Sequence, residues 1–182
     1  MQDLVSELLR RYKRALAEKP LQTKMLTSAA TTVVGECVGD AIRLYRGREV
    51  PEVPLAQRCG FYGLYGLVFV GPLFHWWYGY MQQLTASLSK EYKVVATLLI
   101  DRLVFTPPFL FFTLFYRQLL NPSRLSEKYK AVMKVIMSAL WVNWKVWTAL
   151  VAFNITYIPL EYRSIFGNVF ALAWNTYLSL IS

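Results

Sequence analysis

FYGLYGLVFVGPLF, Phe61 to Phe74, contains no charged side chain, and neither does LVFTPPFLFFTLFY, Leu103 to Tyr116. A membrane-crossing helix needs about 20 mostly apolar residues to cover ~30 Å of hydrocarbon. Extended outward, the two runs become the candidate spans Cys59–Met81 and Val94–Tyr116. Three weaker candidates complete the set. Met25–Tyr45 is rich in Thr, Ser, Ala and Gly, Ala131–Tyr157 contains Lys134 and Lys145, and Ile165–Ile181 is short. The composition of the 182 residues agrees, with 55% hydrophobic and only 17% charged, against about 45–50% and about 25% in soluble domains. Backbone inside lipid must satisfy its own hydrogen bonds, which leaves helices or closed barrels. Unbroken apolar runs lack the alternation of a barrel strand. The expected fold is therefore an all-α integral membrane protein. Residues 21–182 should form one compact bundle of four to five transmembrane helices, and the sequence offers no internal repeat.

Residues 1–20 differ in kind. VSELLRRYKRAL places Val5, Leu8, Leu9, Tyr12 and Leu16 on one helical stripe, with Arg10, Arg11, Lys13 and Arg14 toward the other side. An amphipathic helix lying on an anionic leaflet is the expectation, with cardiolipin among the candidate lipids. A cleaved transit peptide is the alternative, and Asp3, Glu7 and Glu18 count against it. The formal charge of +9 invites a nucleic-acid reading. The basic residues, however, sit at the ends of the spans and the aromatics inside them, which is a membrane pattern. Lys and Arg divide almost evenly between the two faces, so the positive-inside rule gives no orientation.

No catalytic constellation is visible. Cys37 and Cys59 have no C-x-x-C spacing, and His75 is the one histidine. There is no phosphate-cradling glycine loop, no G-x-S-x-G and no H-E-x-x-H. The chain is expected to be no enzyme and to carry no cofactor or metal. In GPLFHWWYG, Gly71 to Gly79, Gly71 and Pro72 loosen a helix. Trp76, Trp77 and Tyr78 then form an interfacial belt, within which His75 hydrogen-bonds.

Charges within the spans are the other candidates. Glu36 and Asp40 are four apart, hence on one helical face. Gly35-x-x-x-Gly39 beside them permits close helix approach. A mid-membrane charge costs ~2.5–3.5 kcal/mol, so it turns inward and finds a partner. Arg102, beside Asp101, is the expected one. Two readings stay open for Glu36, Asp40, Asp101, Arg102, Lys145 and Asn154. They line a path for a charged solute or proton, or they are buried structural pairs with Lys145 snorkelling to the boundary.

The motif Gly71-Pro72-x-x-His75-x-Trp77-Tyr78 resembles a signature of the Mpv-seventeen / twenty-two-kilodalton peroxisomal membrane protein family. The likeness extends over most of the chain. Tyr12, Leu16 and Pro20 match the family's opening, and Asp101 and Pro107 match its central Asp-Gln-x-x-x-x-Pro. Trp147, Asn154, Pro159, Tyr162, Arg163, Trp174, Asn175, Tyr177, Leu178 and Ser179 match its closing motifs. Three family glutamines are missing: Asp40, Arg102 and Val151 occupy those positions, and Thr148 replaces a helix-kinking proline. The resemblance implies a small helical protein of the mitochondrial inner membrane or, as the alternative, the peroxisomal membrane. It implies a pore in some members and catalysis in none. Loss of the glutamines tips the expectation toward a structural or accessory component of a larger mitochondrial inner-membrane assembly, partnered by other membrane subunits and lipid. A narrow pore or solute channel is the alternative.

Overall fold

The computed structural model describes residues 2–158 and 163–181, with side chains except at 2–5, 90, 91, 152, 154–156 and 163–165. All regular structure among the described residues is helical. Helix α1 (Gln2–Glu18) gives way after Lys19 to α2 (Pro20–Tyr45). Pro20 opens α2, where the N–H it lacks would have had no helical partner. Gly47, with φ 62°, ends it. That left-handed residue lets Gly47 N–H donate to Leu44 O at 3.0 Å and Arg48 N–H to Arg43 O at 2.9 Å.

Two long rods follow. The first comprises α3 (Leu55–Tyr65), a π-helical turn (Gly66–Val70) and α4 (Gly71–Leu84). The second comprises α5 (Lys90–Ile100), a π-helical turn (Asp101–Phe105) and α6 (Thr106–Gln118). In each, eleven α-helical residues precede a five-residue π turn, and the proline is the second residue beyond it, Pro72 or Pro107. The cause is local. Proline cannot donate to the carbonyl four residues back, and its ring collides with that carbonyl. The wider turn, closed by Gly71 N–H to Gly66 O and Thr106 N–H to Asp101 O, re-registers the ladder ahead of the ring. The rods thus repeat one helical plan that sequence patterning did not reveal, because few side chains repeat with it. Helices α7 (Leu125–Tyr157) and α8 (Arg163–Ile181) complete the described chain.

The chain divides into two compact units. One runs up to Tyr80 and includes Asn168–Thr176; the other runs over Met81–Gly167 and from Tyr177 onward. Helix α1 lies within the first unit.

In the first unit, α2 packs along α3 and its π turn. The buried positions are Thr32, Gly35, Glu36, Gly39 and Asp40 on α2, and Arg58, Tyr62, Tyr65 and Gly66 on the rod. Both sets follow helical spacing. Glycines let the backbones meet. A Cβ added to Gly66 would stand 2.6 Å from Ser28 O, one on Gly71 2.5 Å from Met25 Cα, and one on Gly35 2.7 Å from Asn175 Cβ. Thr32 Oγ1 donates to Tyr62 O at 3.0 Å, a hydrogen bond from α2 into the rod. Helix α1 packs against α2. Leu9, Tyr12 and Leu16 are half-buried, and Tyr12 Oη accepts from Asn168 Nδ2 at 2.8 Å. Leu8, on the same stripe, is 57% exposed.

In the second unit, α6 packs along α7. Its buried positions include Leu110, Thr113, Leu114 and Arg117 on α6, with Val132, Ile136, Ala139, Leu140 and Asn143 on α7. Phe111 and Tyr129 meet edge to face at 6.2 Å, and Phe153 stacks on Phe166 at 5.6 Å. One helical stretch among the described residues, Tyr92–Gln118, is long and apolar enough by length and composition to cross a membrane.

Candidate functional site

The densest buried polar group lies in the first unit, toward the loop end of the hairpin formed by α2 and α3. Four charged side chains form one lattice. Arg58 Nη1 donates to Glu36 Oε1 and, at 3.1 Å, to Asp40 Oδ1, while Nη2 donates to Asp40 Oδ2. Arg58 Nε donates to Val53 O at 3.0 Å, tying the lattice to the loop. Arg43 Nη1, one turn along α2, donates to Asp40 Oδ1 at 2.9 Å. Arg58 is 3% exposed and Glu36 2%. Two carboxylates face two guanidiniums, so the lattice carries no formal net charge. Guanidinium suits it, since the planar fork serves two carboxylates and a carbonyl at once.

Arg58 corrects the expected pairing. Glu36 and Asp40 turn inward and meet a base, but Arg102 is not that base; its own ion pair, at 2.7 Å, is with the adjacent Asp101. The reason is hairpin register. Asp40 lies five residues before the end of α2 and Arg58 three residues after the start of α3. An antiparallel turn therefore places them side by side. In the sequence Arg58 is merely the polar residue just before the candidate span Cys59–Met81.

At the opposite end of the same hairpin, Lys24 Nζ lies 3.4 Å from His75 Nδ1, and both side chains are half-buried. Lys24 is His75's partner, which sequence reasoning missed. Trp77 and Tyr80 make a ring pair at 6.3 Å, Phe74 stacks on Tyr78 at 5.7 Å, and Trp76 is 66% exposed. Gly71 is buried against α2, and Pro72 beside it is buried. From Lys24 to Arg43 along α2 is nineteen residues, about 28 Å of helix. The charged ends of this hairpin are thus about one hydrocarbon thickness apart.

In the second unit, Asp101 and Arg102 occupy the π turn. Trp144 Nε1 donates to Arg102 O at 3.0 Å, joining α7 to that turn. Arg102 Nε and Asn143 Oδ1 are buried without a hydrogen-bond partner among the described residues. Lys145 is exposed on α7 and makes no ion pair among the described residues, apart from the other candidate charges. Trp147, Trp174 and Asn175 are half-buried on α7 and α8. Pro159 and Tyr162 lie outside the described residues, as do the side chains of Asn154 and Arg163.

Comparison with known proteins places the chain. A model of the Mpv17 / PMP22 family matches residues 118–179. Protein SYM1 of Gibberella zeae is 30% identical over 98% of this chain and 99% of its own length. The chain belongs to the Mpv17 / PMP22 family. Peroxisomal membrane protein 2 of Bos taurus is 31% identical over 94% of this chain and 87% of its own length. Mitochondrial inner membrane protein Mpv17 of Drosophila melanogaster is 30% identical over 80% and 88% respectively. No solved structure matches the chain.

Proposed function

We propose that this family member is a non-enzymatic integral membrane protein of an organelle, acting as a structural or accessory component of a larger assembly in the mitochondrial inner membrane. The observation that carries the reading is the closed charge lattice. Glu36, Asp40 and Arg58 are buried and pair with one another, and the half-buried Arg43 closes the lattice on Asp40. A solute path needs charges that passing ions can reach, whereas these serve only to hold two helices. The outward faces carry large apolar side chains such as Leu26, Val68, Leu103, Phe112 and Trp141, a perimeter suited to lipid or to neighbouring subunits.

Four to five crossings fit the helix lengths. Helix α2, the rods 55–84 and 90–118, and α7 each have at least 26 residues, about 39 Å or more. Helix α8, with 19 residues, reaches only about 28 Å. Relatives are named for both the mitochondrial inner membrane and the peroxisome. The basic amphipathic α1 favours the mitochondrion, where exposed Arg10, Arg11 and Arg14 face anionic lipid. Extraction in a mild detergent followed by native electrophoresis tests the assembly. Migration in a large complex supports it, and migration alone at the size of one chain in its micelle refutes it. Bulk co-fractionation with peroxisomal markers would move the location.

A narrow channel is the second reading, favoured by one observation in the second unit. The unpartnered Arg102 Nε and Asn143 Oδ1 supply a donor and an acceptor that a polar solute could use. Single-channel recording from the purified chain in planar bilayers separates the two readings.

A further inference from the structure

Cys37 and Cys59 are the only cysteines in the chain, and their sulfurs stand 3.7 Å apart across the α2–α3 seam. Both are thiols here. They do not meet by accident of two loose side chains, because the seam fixes the register on both sides of them. Beside them, the Arg58 guanidinium holds Glu36, each the neighbour in sequence of one cysteine. One turn further along, a Cβ on Gly63 would stand 2.9 Å from Val33, four residues on from Cys59 and four back from Cys37. Further still, Gly71 lies against Met25. Each step down α2 is matched by a step up the rod, so the two sulfurs stay opposite. Cys37 is exposed on the outer face of α2 between Lys24 and Arg43, where an uncharged, lipid-soluble reagent reaches it, and Cys59 is half-buried beside it.

We propose that Cys37 and Cys59 form a dithiol modification site that closes to an intramolecular disulfide on reaction with a low-molecular-weight disulfide. In the first step the Cys37 sulfur attacks one sulfur of the reagent; a mixed disulfide forms and one small thiolate leaves, taking up the Cys37 proton. The Cys59 sulfur then attacks the Cys37 sulfur, and its proton passes to the second small thiolate as that leaves. The protein loses two electrons and two protons, and one reagent disulfide becomes two thiols. The sulfurs need close by only ~1.7 Å to reach bonding distance, a movement that side-chain rotation on two fixed helices supplies. The product cross-links α2 to α3 beside the charge lattice and locks the hairpin register.

The test uses the full chain in detergent with 4,4′-dithiodipyridine, an uncharged aromatic disulfide. Intact mass should fall by two hydrogens without any retained adduct. A non-reducing digest should link the Cys37 and Cys59 peptides, and dithiothreitol should reverse both changes. The unfolding temperature of the oxidised form should rise by several degrees, since the cross-link closes a loop of more than twenty residues. Cys37→Ser and Cys59→Ser should each stop at a single stable adduct. Two retained adducts on the unaltered chain would overturn the proposal. So would a disulfide that forms only between chains, or an oxidised form no more stable than the reduced one.

Discussion

Replacing Arg58 by alanine strips the lattice of its centre, and the structure allows the cost to be worked out. Glu36 and Asp40 both accept from the same Nη1, so their oxygens lie within about 5 Å of each other. Two bare carboxylates at that distance repel by about 3 kcal/mol at an effective dielectric of about 20. The Val53 carbonyl also loses its donor, at about 1 kcal/mol if water reaches it. Arg43 remains on Asp40 and offsets part of the repulsion. A net loss of about 3 kcal/mol follows, at the lower end of the ~3–5 kcal/mol typical of breaking one partner from a buried pair. At about 2–4 °C per kcal/mol for a chain of this size, the unfolding midpoint should fall by roughly 6–12 °C. Thermal unfolding of both proteins in the same detergent, followed by tryptophan fluorescence, measures this. The triple change Glu36→Gln, Asp40→Asn, Arg58→Gln removes every charge that Arg58 served. It should return to within ~1.5 kcal/mol of the original, because a buried ion pair contributes little beyond a neutral polar contact. A loss below about 1 kcal/mol for Arg58→Ala would refute the reasoning. So would a triple variant as unstable as the single one, because Arg58 would then matter only for packing.

Three further outcomes are expected from the same unfolding assay. Gly66→Ala should destabilise by ~1–3 kcal/mol, since the new methyl enters the space of Ser28, Ala29 and Thr32; Gly60→Ala and Gly79→Ala, which meet nothing within 4 Å, should be neutral or stabilising by up to about 1 kcal/mol. Leu114→Ala, at a position 1% exposed on α6, should cost ~2–5 kcal/mol through lost packing and the cavity left behind. Trp144→Phe removes the donor to Arg102 O and should cost about 1 kcal/mol, while Trp141→Phe, on the exposed face of the same helix, should cost far less.

The sequence by itself determined the helical class and the family. Charge-free runs such as Phe61–Phe74 and Leu103–Tyr116 lack the alternation of a barrel strand and so read as helices, and the spaced motif around His75 needs no coordinates to be seen. Face sharing was legible too. The four-residue spacing of Glu36 and Asp40 put both on one side of α2, and the cost of a bare charge in lipid required a base near them. Which base could not be read from composition or motif. Arg102 stands out because it interrupts an apolar run, whereas Arg58 hides at the edge of a polar connector. Only the folded hairpin, with Asp40 and Arg58 level across the loop, decides between them. The same register brings Cys37 to Cys59 and Lys24 to His75, pairs separated by 22 and 51 residues. The repeated π turns were hidden for a different reason: they follow from where proline interrupts the hydrogen-bond ladder, and the side chains around Pro72 and Pro107 differ. Local chemistry sets what each helix is. The partner of each buried charge is set by how far along two helices the chain turns back, and that distance exists only in the tertiary structure.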